Sequence, residues 1–286
     1  MSTEIKAIRD PAPNGSGDKW RAYPLFSGQT PAHDDMACHF SVLSPGHSPH
    51  PPHEHLEEEL LIILDGKADI LLTDGPEANS ARVERLHAGS FVYYPSHQFH
   101  TIRNCPDFPV TYVMFKWRAS REKSNPPLNA TFYHFEKIGF AESKEGFAPR
   151  LLFEGPTAHL DKLHAHITQL QPGAGYPPHA DNYDVAIVVL SGRVETLGQT
   201  VSSPSVIYYS AGEMHGMKNL GDIAAHYLVF EFHSARAKSF ALGQQQHEPK
   251  LTGANPAPFG RSVHDWLSRP LGSIRRRVSQ IRSKSS

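Results

Sequence analysis

The chain has 286 residues, with 28 Lys and Arg against 29 Asp and Glu and a formal net charge of −1, a balance that gives no electrostatic footprint for nucleic acid. No apolar run approaches the roughly 20 residues that a membrane helix needs, and the start of the chain lacks an apolar leader core. Two cysteines, Cys38 and Cys105, do not make a disulfide framework, so the reading is a reduced, soluble, cytoplasmic protein with room for two domains.

The 24 Pro, 21 Gly and frequent short apolar runs suit an antiparallel all-β protein with many turns. Residues 1–35 read as an N-terminal extension. The first half then offers predicted strands at 60–64, 68–72, 91–94 and 110–117. Just before and within the first of them stand His53, His55 and Glu59. On one extended strand these odd-numbered side chains share a face, and Glu54 and Glu58 point the other way. Imidazole and carboxylate together suit Fe(II), Mn(II), Zn(II), Cu(II) or Ni(II) rather than Ca(II) or Mg(II). Residues 73–80 are rich in turn formers and read as a hairpin loop. Residues 89–104 add His100 as a fourth ligand candidate, placed between Pro95 and Asn104. Tyr93 and His97 are the candidates for an acid or base beside the metal. Phe91, Tyr93, Phe99 and Phe115 are candidate lining residues of an apolar pocket, and Lys116 and Arg103 are the nearest cations that an anionic substrate could meet.

These two segments resemble the two motifs of the cupin family. Gly46, His53, His55, Glu59 and Gly66 fit the first, with one extra residue before His53. Gly89, Pro95, His100 and Asn104 fit the second, with His97 standing where the pattern has Gly. The resemblance implies a jelly-roll barrel and one divalent transition metal per chain, held by His53, His55, Glu59 and His100. Fe(II) is the first choice, with Mn(II), Zn(II), Cu(II) or Ni(II) as alternatives. In the family this ligand set serves dioxygenases, decarboxylases, isomerases, hydrolases and lyases, so it implies the metal more firmly than the reaction. The expectation is a non-heme Fe(II) dioxygenase-type oxidoreductase acting on a small organic molecule, assembled as a homo-oligomer. A non-redox isomerase, lyase or hydrolase on a sugar- or amino-acid-derived substrate is the alternative, and a small-molecule-binding cupin without turnover is a second.

The chain then repeats itself, a signature to be read before any fold assignment. Leu43, Pro45, Gly46, Pro51, Pro52 and His53 recur as Leu170, Pro172, Gly173, Pro177, Pro178 and His179. Val92, Tyr93 and Tyr94 return as Ile207, Tyr208 and Tyr209, and His100 and Asn104 return as His215 and Asn219. The fold class is therefore all-β, two tandem cupin barrels with a short C-terminal amphipathic helix. The expected segments are cupin domain 1 over 36–118, a linker over 119–155 that wraps the outside of a barrel, cupin domain 2 over 156–235, and a C-terminal loop and basic tail over 236–286. The second copy adds predicted strands at 185–190 and 225–232. Its motif is degenerate: the second His becomes Asp181 and the Glu position becomes Val185, so the copy reads as a barrel kept for packing, with a set of His179, Asp181 and His215 as the other reading. In the tail, Val263, Leu267, Leu271, Ile274, Val278 and Ile281 alternate with Arg and Lys as a basic amphipathic helix does, a candidate for an interface.

Overall fold

The structure, a computed structural model, describes residues 1–9, 19–76, 80–122, 125–137, 139–140 and 146–237. The predicted C-terminal helix lies outside the described residues. In chain order the described residues form β1 (Glu4–Ala7), β2 (Trp20–Gly28), β3 (Asp35–Leu43), β4 (Glu58–Asp65), β5 (Lys67–Thr73), β6 (Ala81–His87), β7 (Phe91–Tyr94), β8 (Phe99–Asn104), β9 (Val110–Arg118) and β10 (Thr131–Tyr133). Then follow β11 (Phe147–Gly155), β12 (Lys162–Leu170), β13 (Gly175–His179), β14 (Asp184–Ser191), β15 (Arg193–Thr196), β16 (Gln199–Ser202), β17 (Ser205–Tyr209), β18 (His215–Lys218) and β19 (Ala225–His233). No helix among the described residues is long and apolar enough to cross a membrane.

The strands make two jelly-roll barrels. The first closes a six-stranded sheet of order β10-β7-β4-β9-β3-β2 over a three-stranded sheet β6-β5-β8, and the second closes β1-β17-β14-β19-β12-β11 over β13-β18-β15-β16. The predicted strands all appear, because each is an apolar run bounded by turn residues. β4 and β14 read as continuous apolar runs rather than alternating ones because both their faces are covered. Leu61 and Ile63 fill the first barrel with Val92, Tyr94 and Tyr112. Leu60 and Ile62 turn outward into a core shared with the other barrel, where they join Phe91, Tyr93, Phe115 and Trp117 and, from the second copy, Ala186, Val188, Phe230 and Phe232. Phe91 meets Phe230 edge-on at 5.2 Å and Trp117 meets Phe232 at 5.1 Å. The large sheets thus pack face to face, and the two barrels form one compact unit.

Two segments expected outside the barrels take part in them. From the N-terminal extension, β1 pairs with β17 in the second barrel and β2 pairs with β3 in the first. From the linker, β10 pairs with β7 in the first barrel and β11 with β12 in the second. The strand that opens each half therefore borders the large sheet of the other half. These short edge strands cover backbone donors and acceptors that would otherwise face solvent unpaired.

A reciprocal pair of buried carboxylates ties the barrels together. Glu58 accepts from Tyr93 Oη at 2.8 Å and Trp117 Nε1 at 2.9 Å, and then from Thr157 Oγ1 and the Ala158 amide, each at 2.6 Å, in the loop that leads into the second barrel. Asp184 is its counterpart. It bonds Tyr208 Oη at 2.6 Å and the Ala211 amide at 2.7 Å in its own half, and the Thr30 hydroxyl and His33 Nδ1 (2.7 Å) in the loop that leads into the first barrel. Each loop is closed by its own threonine, Thr30 Oγ1 accepting from the His33 amide and Thr157 Oγ1 from the Leu160 amide, both at 2.9 Å.

Candidate metal centre

At the mouth of the first barrel the chain before β4 is too rich in proline to form the single strand expected for His53, His55 and Glu59. His53 makes an isolated bridge to His100, their backbones exchanging bonds of 3.1 and 3.0 Å. His55 lies in the following irregular stretch, and only Glu59 sits on β4. Convergence is nevertheless achieved: one nitrogen from each of His53, His55 and His100 lies within 4.8 Å of the others. Glu59 Oε2 is 3.1 Å from His55 Nε2 and 3.7 Å from His100 Nε2.

The imidazoles are oriented by backbone. His55 Nδ1 bonds the Glu57 carbonyl at 2.9 Å and His100 Nδ1 bonds the Gln98 carbonyl at 2.7 Å, so each ring is held with its Nε2 turned toward Glu59. Tyr94 stacks on the His100 ring at 4.0 Å, fixing its plane. Burial would raise the Glu59 carboxyl, but hydrogen bonds with His100 and His55 and the Lys116 charge outweigh it and hold the group well below the usual carboxylate range. Burial, with its imidazole neighbours and Lys116, lowers His53 to about 4, which keeps it a neutral ligand. His53 Nδ1 is buried with no hydrogen-bond partner. Three converging imidazoles, two of them oriented by backbone carbonyls, around one ionised carboxylate are the donor chemistry that a divalent transition ion takes, and the residues fit such an ion.

A cavity of about 30 Å³ opens beside these groups, lined by His50, Leu61, Tyr94, Ile102, Tyr112 and Lys116 among others. That is room for about two water-sized ligands. Lys116 Nζ lies 3.2 Å from Glu59 Oε2, while Arg103 bonds Asp69 at 3.3 Å on another face of the barrel.

The two candidate acid–base residues are not brought here. Tyr93 faces the shared core, where it bonds Glu58. Leu60 is its register partner on β4, whereas Glu59 pairs with Tyr94, and directly paired residues share a face. Burial and the Glu58 charge push the Tyr93 hydroxyl far above its ordinary pKa. His97 is 63% exposed at the rim, with Nδ1 3.5 Å from Glu54 Oε2. The expected lining by Phe91 and Phe115 is corrected likewise: both belong to the shared core. Sequence reasoning missed Tyr94 and His50, since choosing between adjacent tyrosines needs the register.

The second barrel keeps the same plan with other donors. Asp181 Oδ2 lies 3.6 Å from His179 Nε2 and 3.4 Å from His215 Nε2. Those imidazoles are again oriented by carbonyls, His179 Nδ1 by Pro177 at 3.2 Å and His215 Nδ1 by Glu213 at 2.9 Å. Burial would raise the Asp181 carboxyl, but bonds with both histidines outweigh it and depress it. Asp184 faces away, as its parity predicts.

Two jelly-roll barrels in one chain, each with imidazoles and a carboxylate converging at its mouth, give this chain the fold of a bicupin. Residues 39–116 match the family model described as Cupin domain, and no curated protein matches the sequence. Among solved structures, an oxalate decarboxylase from Lactobacillus farciminis in complex with formate is similar over 82% of this chain and 87% of its own, at 14% identity and a TM-score of 0.59. The Bacillus subtilis oxalate decarboxylase OxdC, as a mutant, covers 88% of this chain with 86% of its own at 15% identity and a TM-score of 0.58. AerE from Microcystis aeruginosa matches over 80% of this chain and 98% of its own, at 13% identity and a TM-score of 0.58. At these identities the likeness is one of fold.

Proposed function

We propose that the first barrel is a metal-dependent enzyme site for a small organic acid or enolisable molecule, with His53, His55, Glu59 and His100 holding one divalent transition metal, Fe(II) first among them, for oxygenase-type chemistry. The observation that carries this reading is the convergence of three imidazoles, two of them oriented by backbone carbonyls, and an ionised glutamate beside a cavity. When bound, such a metal supplies open coordination positions for a substrate and, for Fe(II), dioxygen. The chain's own residues supply the rest. Lys116 places a cation beside the ligands, suited to a substrate carboxylate or enolate. Leu61 and Ile102 exclude water from one side of the cavity, and Tyr94 holds His100 in plane.

Lys116 also favours a second reading, a non-redox lyase that releases carbon dioxide from a small carboxylate, and the solved oxalate decarboxylases share this fold. The two readings separate in one experiment. Purified protein is loaded anaerobically with Fe(II) or Mn(II), and oxygen uptake and carbon dioxide release are followed across small acids, diketones and catechols. Substrate-dependent oxygen uptake with iron supports the oxygenase, whereas carbon dioxide release without oxygen uptake supports the lyase. His53→Ala and His100→Ala should each remove one bound ion per chain together with the activity. Full metal content in both variants would defeat the assignment.

A further inference from the structure

A third cluster of ligating side chains lies in the second barrel, away from the positions that the two motifs occupy. His164 and His166 are two apart on β12 and so share a face. Glu231 on β19 is the register partner of His164. All three are buried, at 2%, 3% and 4% exposure, and one ligating atom from each lies within 4.8 Å of the others. His164 Nε2 and His166 Nδ1 are 3.1 Å apart, about the separation of two nitrogens bound to one tetrahedral ion at roughly 2.0–2.1 Å each. Glu154 Oε2 bonds His164 Nδ1 at 3.0 Å, the carboxylate–histidine pairing that orients a metal-bound imidazole.

Comparison of the two halves shows that the cluster goes with a change in the motif. The positions on β3 and β9 that match His164, His166 and Glu231 hold Ala37, His39 and Lys116. In the first barrel Lys116 stands in register with Glu59, and in the second Glu231 stands in register with Val185. The second barrel has thus lost the motif glutamate, replaced the lysine next to it by a glutamate, and gained an imidazole facing that glutamate. A barrel kept for packing alone has no need of a buried carboxylate moved one strand across to meet two histidines.

We propose that His164, His166 and Glu231 form a second, separate site for a divalent transition metal of the Zn(II) or Fe(II) class, with Glu154 as the outer residue that orients His164. Two imidazoles and one carboxylate leave coordination positions open on either ion, and Tyr183, whose hydroxyl interacts with both Asp181 and Glu231, stands between this cluster and the Asp181 cluster. The inference does not depend on the reaction proposed for the first barrel.

The test uses the full chain carrying His53→Ala, His100→Ala and His179→Ala, which removes ligands from both motif sites. After treatment with a chelator, this variant is titrated with Zn(II) by calorimetry and with Co(II) by visible absorption, folding being checked by near-ultraviolet circular dichroism. One ion per chain is expected, with the d–d bands of a four- or five-coordinate Co(II) site. Adding Glu231→Gln, which keeps the shape of the side chain, should abolish those bands, and Glu154→Gln should weaken Zn(II) binding roughly 10–100-fold. A folded triple variant that binds no ion would overturn the proposal. So would Co(II) bands unchanged by Glu231→Gln and by His166→Ala.

Discussion

His97 holds a backbone conformation that suits glycine, with φ of 61°, in the turn where its amide bonds the His55 carbonyl at 2.9 Å. That is the one position where the chain departs from a Gly of the second motif, so the departure is conformational and the histidine sits there at a cost of about 1–2 kcal/mol for a left-handed residue. Since glycine loses about 0.5–1 kcal/mol of backbone entropy in return, His97→Gly should leave stability unchanged or raise it by up to about 1.5 kcal/mol, with turnover retained. A 100-fold or larger fall in kcat, the order expected for a lost acid or base, would restore His97 to the chemistry. Tyr93→Phe makes the matching test on the other candidate. It removes a donor from the buried Glu58 carboxylate and should cost about 1.5–3 kcal/mol in denaturant unfolding, with the activity of the folded fraction intact. At this scale the convergence of His53, His55, Glu59 and His100 is legible in the sequence, because motif spacing survives the bends of the chain that carries it. The choice of Tyr93 over Tyr94 was not, because the face a residue takes on β7 is set by its register with β4, which no local signal encodes.

Pairing between strands decides what each element contributes. The long apolar strands could be read from composition and length, but β1 and β10, with four and three residues, are too short to show alternation and were read as parts of an extension and a linker. The braces built on β4 and β14 carry a pH prediction. Burial would raise the Asp184 carboxyl, but bonds from His33, Thr30 and Tyr208 outweigh it and hold the group below its usual value. A carboxyl depressed in the folded state contributes stability above its unfolded pKa of about 3.9 and loses it as pH falls through the lower folded value. Asp184→Asn should therefore cost about 3 kcal/mol at pH 7, the order for breaking a buried charged network, and should flatten the fall in stability below about pH 4. Guanidinium unfolding of both proteins from pH 7 to pH 2 measures this, and parallel curves over the whole range would show that Asp184 does not carry the acid dependence. Removing residues 1–9 addresses β1 in the same way. Amide exchange should quicken in β17, its partner in the second barrel, before it quickens in β7, whose edge is covered by β10.

The whole molecule is organised by the face that the two barrels share. Among the described residues that core holds 24 buried apolar side chains, against 12 inside each barrel, so half of the clustered apolar side chains belong to neither copy alone. At about 1.5–3 kcal/mol for each large side chain, exposing that face costs tens of kcal/mol, more than the 5–15 kcal/mol by which a domain is ordinarily stable. The exchanged edge strands and the reciprocal Glu58 and Asp184 braces act in the same direction, because cutting the chain between the copies takes a strand from each sheet and the loop partners from each carboxylate. The sequence repeat reads as two domains, and the shared core, exchanged strands and paired braces predict that they unfold as one cooperative unit. Residues 1–118 and 119–286 expressed separately should each give a broad, non-cooperative thermal transition and bind a dye for exposed apolar surface. Expressed together they should form a one-to-one complex that melts in a single sharp step and recovers the metal content of the uncut chain. If residues 119–286 alone show a sharp transition with native near-ultraviolet circular dichroism, the second barrel is self-sufficient, and the shared face then serves to hold together two domains that fold independently.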